Sequence, residues 1–201
     1  MKVENWMTKS APTIRMGSTV KDALKAMDTY GFSEIIVVNE NGEFAGLVKK
    51  HDIFDKSADD VIDDFLILPE LYISPEDHIE EAFLAFMEHN EDFIPVVDDD
   101  LKVRGMITLQ DILESMIEIT AMDEPGTRIS VVLPDVPGAL RKIVDTLAEN
   151  RINILSLLTF RENDNKRRVV MRVDSTDSEA VASLLRDYGI EYDEVIREEG
   201  F

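Results

Sequence analysis

Thr108 and Asp111 are the two residues whose types and spacing best suit chemistry on a small ligand. They close the run Gly105-Met106-Ile107-Thr108-Leu109-Gln110-Asp111 in this 201-residue sequence. A threonine at a helix start offers a hydroxyl that both donates and accepts, and a carboxylate three residues on is a strong acceptor. Together they would sit at the positive end of a helix, where a nucleotide's ribose and phosphate can be held. The same spacing is that of a capping box, which stabilises a helix by about 1 kcal/mol and binds nothing. Spacing alone leaves both readings open.

Positioning these residues takes a buried strand that ends at Ile107 and a helix that starts directly after it. Ile112, Leu113, Met116 and Ile117 continue at helical spacing. The stretch has an earlier copy, Gly46-Leu47-Val48-Lys49-Lys50-His51-Asp52, at an offset of 59. That offset also sets Val20 on Ile79, Ala23 on Ala82, Met27 on Phe86 and Val37-Val38 on Val96-Val97, so residues 6–55 and 64–114 are an internal repeat. Each copy predicts an extended lead-in (Thr13-Ile14 or Tyr72-Ile73), an amphipathic helix, two strands around a polar turn, and a final helix. A single β-α-β-β-α unit leaves one sheet face open, so the two copies should pack as a pseudo-symmetric pair. Residues 57–70 connect them, with a helix expected over Ala58 to Phe65.

In the first copy Lys49 replaces the threonine. Lys49, Lys50 and His51 form one of the few basic clusters in an acidic half. Symmetric packing would bring the two final helix starts near one another, so these residues could meet phosphates held at Thr108 and Asp111. A solvated helix start is the plainer alternative. His51, His78 and His89 do not form a metal-ligand set, and Asp98-Asp99-Asp100 lacks the spacing of a calcium loop.

The last third has another rhythm. Arg128 to Leu133 alternates as a half-buried strand, and Pro134-Asp135-Val136-Pro137-Gly138 is a turn, with Pro137 suited to the first position of a helix. Ala139, Leu140, Ile143, Val144 and Leu147 give that helix an apolar face. Strands follow over Ile154 to Phe160 and Arg167 to Val173, then a helix over Asp177 to Asp187 and a strand over Ile190 to Ile196. The order β-α-β-β-α-β is the ferredoxin-like arrangement. The fold class is therefore α+β, with boundaries expected at 1–60, 61–122 and 127–201. The basic run Arg161, Lys166, Arg167, Arg168 and Arg172 reads as the exposed edge of a hairpin.

Two families are similar to this pattern. Ile94-Pro95-Val96-Val97-Asp98 and Val103-Arg104-Gly105-Met106-Ile107-Thr108-Leu109-Gln110-Asp111-Ile112-Leu113, with the lead-in Trp6-Met7-Thr8-Lys9, resemble a tandem pair of CBS domains, a Bateman module. Pro134-Asp135-Val136-Pro137-Gly138-Ala139-Leu140 and Ile152-Asn153-Ile154 resemble an ACT domain. The combined order resembles the bacterial acetoin-utilisation AcuB-type proteins. The first resemblance implies an adenine nucleotide, or a related adenosyl ligand, as regulatory ligand and no catalytic cofactor. It carries ribose and phosphate contacts onto Thr108 and Asp111, and it implies that Tyr72, Ile73, Phe93, Ile94 and Pro95 line the base pocket. It leaves the first-repeat site weakened or empty, since Lys49 breaks the pattern. The second resemblance implies an amino-acid or metabolite site at Asp135, Gly138 and Asn153; a plain turn built by Asp135 and Gly138 is the competing reading. Both imply a homodimer and a regulated protein partner that the sequence does not name.

Composition narrows the classes further. Net charge is −21. Residues 1–126 hold 10 Lys+Arg against 28 Asp+Glu, which is −18, and residues 127–201 hold 11 against 14, which is −3. So negative a field repels nucleic-acid phosphates and anionic lipid heads, and predicts no nucleic-acid or membrane partner. No apolar run reaches the roughly 20 residues of a membrane span, and the first residues lack a signal peptide's apolar segment, so a cytoplasmic setting is expected. There is no cysteine, hence no disulfide framework and no thiolate nucleophile. No Walker loop, nucleophile elbow or His-Glu-x-x-His motif is present, so the reading is a regulatory binding protein and not an enzyme. A structural oligomerisation module with degenerate ligand sites is the alternative.

Overall fold

The 59-residue offset reappears in the backbone. In the first copy, β1 (Thr13–Arg15) leads into α1 (Val20–Tyr30), β2 (Glu34–Val38), β3 (Phe44–Lys49) and α2 (Lys50–Ile53). In the second, α3 (Ile79–Glu88), β4 (Phe93–Val97), β5 (Val103–Thr108) and α4 (Leu109–Ile119) follow. The lead-in of the second copy is shorter than a strand: Ile73 makes a single parallel bridge to Val96. This computed structural model describes residues 1–67, 71–88 and 91–200. They fall into two units, residues 1–115 and 116–201. His89 and residues 68–70 of the connector lie outside the described residues.

Local sequence explains the elements of the first unit. Thr19 caps α1 by accepting from the Asp22 amide at 3.2 Å, and Gly31, at φ +77°, closes it with an N–H to Met27 O bond of 2.8 Å. Val20, Ala23 and Met27 on one helix face are buried against Ile35, Val37 and Val48 of the sheet. On the other sheet face, Ile36, Phe44 and Leu47 meet Phe93, Val97 and Met106 of the second copy. The two repeats thus share an apolar core, as the open sheet face required.

The connector departs from expectation. It contains no α-helix over Ala58 to Phe65; a 3₁₀ turn covers Ile62–Phe65 alone. Ser57 and Asp60 bend the chain first, through a 3.1 Å bond from the Ser57 amide to the Asp60 carboxylate. Val61 and Ile67 then bridge back to Thr19 and Leu47 of the first copy. The matching segment 59 residues earlier behaves likewise on the other repeat. It has a 3₁₀ turn at Val3–Asn5, and Lys2 and Thr8 bridge His78 and Met106. Each repeat is therefore flanked by the stretch that precedes the other repeat's lead-in.

The second unit holds the ferredoxin-like order: β6 (Gly126–Pro134), α5 (Arg141–Glu149), β7 (Ile154–Asn163), β8 (Lys166–Val173), α6 (Ser178–Asp187) and β9 (Glu194–Glu198). Its antiparallel sheet runs β7-β8-β6-β9. Ile129, Val131, Ile143, Leu147, Met171, Val181 and Leu185 form its core. Helix α5 begins four residues after Pro137, because Gly138 at φ +86° takes the left-handed region and interrupts the helix start. The last strand starts at Glu194, four residues later than expected, since Ile190 is buried in the core before the ladder with β6 begins. The basic run splits: Arg161, on the edge strand β7, and Lys166 are exposed as expected, but Arg168 and Arg172 are not. Arg168 pairs with Glu162 and Asp193, and nearly buried Arg172 pairs with Glu198 and donates to Thr120 O at 3.0 Å.

Candidate functional site

Thr108 ends β5 and Asp111 lies in the first turn of α4. The capping box forms in full: the Asp111 amide donates to Thr108 Oγ1 at 3.2 Å, and the Thr108 amide donates to Asp111 Oδ2 at 2.7 Å. The Thr108 hydroxyl donates to the same oxygen at 2.8 Å. By itself this is no signature of a site, because Thr19 and Asp22 make the same hydroxyl–carboxylate pair, at 2.9 Å, at the start of α1. What separates Asp111 from Asp22 is a third partner. Thr8, 103 residues earlier, donates its hydroxyl to Asp111 Oδ1 at 3.2 Å. Both oxygens of a partly buried carboxylate are thereby aimed by hydroxyls from two separate chain segments.

Thr8 reaches Asp111 because its strand segment runs beside β5. Thr8 and Met106 exchange both backbone hydrogen bonds, each 2.9 Å long. Gly105 permits that approach: a Cβ there would stand 2.4 Å from Thr8 O. Thr8 was not among the residues the sequence marked as ligand contacts. The signal for it lay in the lead-in Trp6-Met7-Thr8-Lys9 and in the repeat offset, which pairs Thr8 with Ile67.

At the equivalent place in the first repeat the polar set is gone. Ile67 stands for Thr8 and Lys49 for Thr108, leaving Asp52 with His51 at 3.4 Å. Helix α2 is four residues long. Lys49 turns away from this helix start and gives Nζ to both oxygens of Glu91, at 2.5 and 2.6 Å. Lys50 pairs with Asp28 at 2.7 Å, and His51 is mostly exposed. The three basic residues are thus bound to carboxylates of their own surroundings and are not gathered at Thr108.

The residues expected around a base fall into two groups. Tyr72 is 47% exposed and packs edge-on against Phe44, with ring centroids 5.8 Å apart. Ile73, Phe93, Ile94 and Pro95 are buried. Phe93 in particular packs edge-to-face on Phe32 at 5.1 Å, inside the core between the repeats.

In the second unit, Asp135 and Gly138 line a cavity of about 160 Å³ with Leu133, Leu140, Thr159 and Arg167. Arg167 lies 3.8 Å from the Asp135 carboxylate. Asn153 is not in this cavity; it exchanges hydrogen bonds with Asp174 at the start of β7. Among the described residues, no group of three or more acidic or histidine side chains is arranged to hold a metal, and no helix is long and apolar enough to cross a membrane.

A pseudo-symmetric pair of repeats with its helix starts presented in this way defines a class. The CBS domain profile matches residues 3–59 and 62–118, and the profile of the TTHA0829-like ACT domain matches residues 125–196. The chain belongs to the CBS-domain family: it carries a tandem CBS pair followed by a TTHA0829-like ACT domain. These domain families are regulatory and not catalytic. The chain is 37% identical to a CBS domain pair/ACT domain protein of Thermotoga maritima, TM0892, over 59% of this chain and 98% of that one, with a TM-score of 0.56. It is 30% identical, over 60% of its length and 46% of the relative's, to the uncharacterized protein MJ0188 of Methanocaldococcus jannaschii. It thus spans about half the length of that curated relative. The structure of CBSX2, a CBS-pair protein of Arabidopsis thaliana, in complex with AMP shares the fold, at 20% identity and a TM-score of 0.53, over 59% of this chain and 97% of that one.

Proposed function

We propose that the CBS pair senses an adenine nucleotide at one site per chain, centred on Thr108 and Asp111. The observation that carries this reading is the convergence of Thr8 and Thr108 on the two oxygens of Asp111, a set that Asp52 lacks. Thr8 aims Asp111 Oδ1 and leaves that oxygen a lone pair for a ribose hydroxyl, so a ligand can join the set without dismantling the cap. The AMP complex of CBSX2 supports the ligand class. Tyr72, the exposed member of the expected base contacts, offers an aromatic face to the adenine, while Ile73, Phe93, Ile94 and Pro95 back it from the core. Ligand acts by favouring one arrangement of repeats or subunits, which a protein partner then reads. The working unit in this reading is a cytoplasmic homodimer. The resemblance to acetoin-utilisation proteins is the sole support for placing that partner in acetoin or acetyl-CoA metabolism.

Calorimetry of the whole chain with AMP, ADP, ATP, NAD(H) and S-adenosylmethionine tests the reading. One adenosine ligand should bind at one equivalent per chain, and Asp111→Ala should weaken it about 100-fold, the worth of hydrogen bonds to a charged group. Failure of every adenosine compound to bind, or unchanged affinity in Asp111→Ala, overturns it in favour of an interaction module with degenerate sites. Turnover of ATP or ADP would overturn the non-catalytic reading.

The small cavity of the ACT domain supports a second ligand. Its apolar walls and single guanidinium suit a small carboxylate such as an amino acid. A thermal-shift panel of amino acids should raise the midpoint with one of them, and Arg167→Ala should abolish that rise.

A further inference from the structure

The end of the repeat interface that lost its threonines has acquired another set of residues. Glu34, at the start of β2, is 2% exposed, yet its side chain crosses to the other repeat. There Oε1 accepts from the amides of Asp92, at 3.0 Å, and Phe93, at 3.3 Å. Its other oxygen, Oε2, is buried with no hydrogen-bond partner, and the Glu91 side chain is close enough to disfavour the charge on Glu34. Glu91 in turn holds both its oxygens against Lys49 Nζ, and Lys49 is the ladder partner of Glu34. Two carboxyl groups are therefore brought together across the interface with one ammonium.

Pseudo-symmetry shows what this contact replaces. The offset of 59 puts Glu34 on Phe93 and Phe32 on Glu91. The Glu34–Glu91 contact is the mate of the Phe32–Phe93 contact, an apolar edge-to-face pair at 5.1 Å. A carboxyl pair in an aromatic pair's place cannot ionise twice without burying two like charges. Two carboxylate oxygens are both acceptors, so a hydrogen bond between them needs a proton.

We propose that Glu34 and Glu91 share a proton that fastens the first repeat to the second, making the repeat interface a proton-binding site. Loss of the proton leaves two carboxylates against one lysine and loosens the Lys49 end of the interface. Among the described residues, the charged groups that flank the pair are Lys49, Asp92 and Lys50. Lys49 comes from β3, and Asp92 from the segment before β4, where it is held by the Ser33 amide and hydroxyl at 2.6 and 2.5 Å. Lys50 follows at the start of α2, already paired with Asp28. Burial, with the Glu91 contact second, pushes the Glu34 carboxyl up from 4.5 to about 8. A folded-state pKa above the unfolded one means that the native state binds more protons between these values, so stability falls as pH rises from about 4.5 to about 8.

The test needs no nucleotide, so its outcome is independent of the site at Asp111. Glu34→Gln keeps the acceptor for the Asp92 and Phe93 amides, gives Glu91 a permanent donor and cannot titrate. Thermal midpoints of the whole chain are measured from about pH 5 to about pH 8.5. The expected result is a midpoint that falls with pH in the parent, and a fall at least halved in Glu34→Gln, with the histidine contributions common to both. Equal slopes overturn the proposal. Infrared spectra keep the proposal testable if the variant folds poorly. Near neutral pH the parent should show the carbonyl band of a protonated carboxylic acid, lost at high pH. Absence of that band in the parent, or its survival in a folded Glu34→Gln, also overturns the proposal.

Discussion

The starts of α2 and α4 are the same piece of backbone used twice, and they differ in what surrounds one aspartate. At α4, Asp111 is met by Thr108 and Thr8. At α2, Asp52 has lysine and isoleucine at the matching places and a helix of one turn. The mirror contact deeper in the interface changes in the opposite sense, from an aromatic pair on the Thr108 side to a carboxyl pair on the Lys49 side. A repeat thus keeps its fold while its two ends part in chemistry. The scaffold requires the apolar periodicity and the glycines, whereas the polar residues at each helix start differ between the copies.

The strongest test of the shared scaffold is at the glycines. A Cβ at Gly46 would stand 2.4 Å from Ile67 O, as one at Gly105 would from Thr8 O, but only Gly46 also carries a positive φ, +151°. Gly46→Ala should cost about 2–4 kcal/mol, combining overpacking with backbone strain. Gly105→Ala should cost about 1–3 kcal/mol, from overpacking alone. Urea unfolding measures both, and equal costs would show that the positive φ of Gly46 adds no strain. At the site, Asp111→Ala should weaken the nucleotide about 100-fold while Asp52→Ala leaves its affinity within about twofold. Equal losses would mean two working sites and end the contrast between the ends.

A smaller effect concerns the crossing segments. Thr8→Val should weaken nucleotide binding about fivefold, the worth of one hydrogen bond, and Ile67→Val should not change it. The smallest separates cap from site. Thr19→Ala and Thr108→Ala should each cost about 1 kcal/mol of stability, through loss of a helix cap. Only Thr108→Ala should also change affinity, as read by calorimetry. If neither changes it, Thr108 is a cap and nothing more.

Much of this protein was legible before any coordinates. The repeat, its offset, the α+β class and the ferredoxin-like third follow from apolar periodicity, which burial enforces locally along each element. The unequal helix starts were visible as Lys49 against Thr108. The connector and the α5 start depart from periodicity for local reasons: a Ser57–Asp60 bend and a left-handed Gly138 outweigh the helical pattern. Three features depended on contacts between segments distant in sequence. One is that residues 2–8 flank the second repeat while residues 61–67 flank the first. The second is that Thr8 reaches Asp111. The third is that Glu34, Glu91 and Lys49 meet. Sequence by itself determined which faces are apolar, because side-chain type decides what water rejects. Which polar residues share a site was decided by the tertiary structure, because a hydrogen bond depends on distances of about 3 Å that no spacing along the chain encodes.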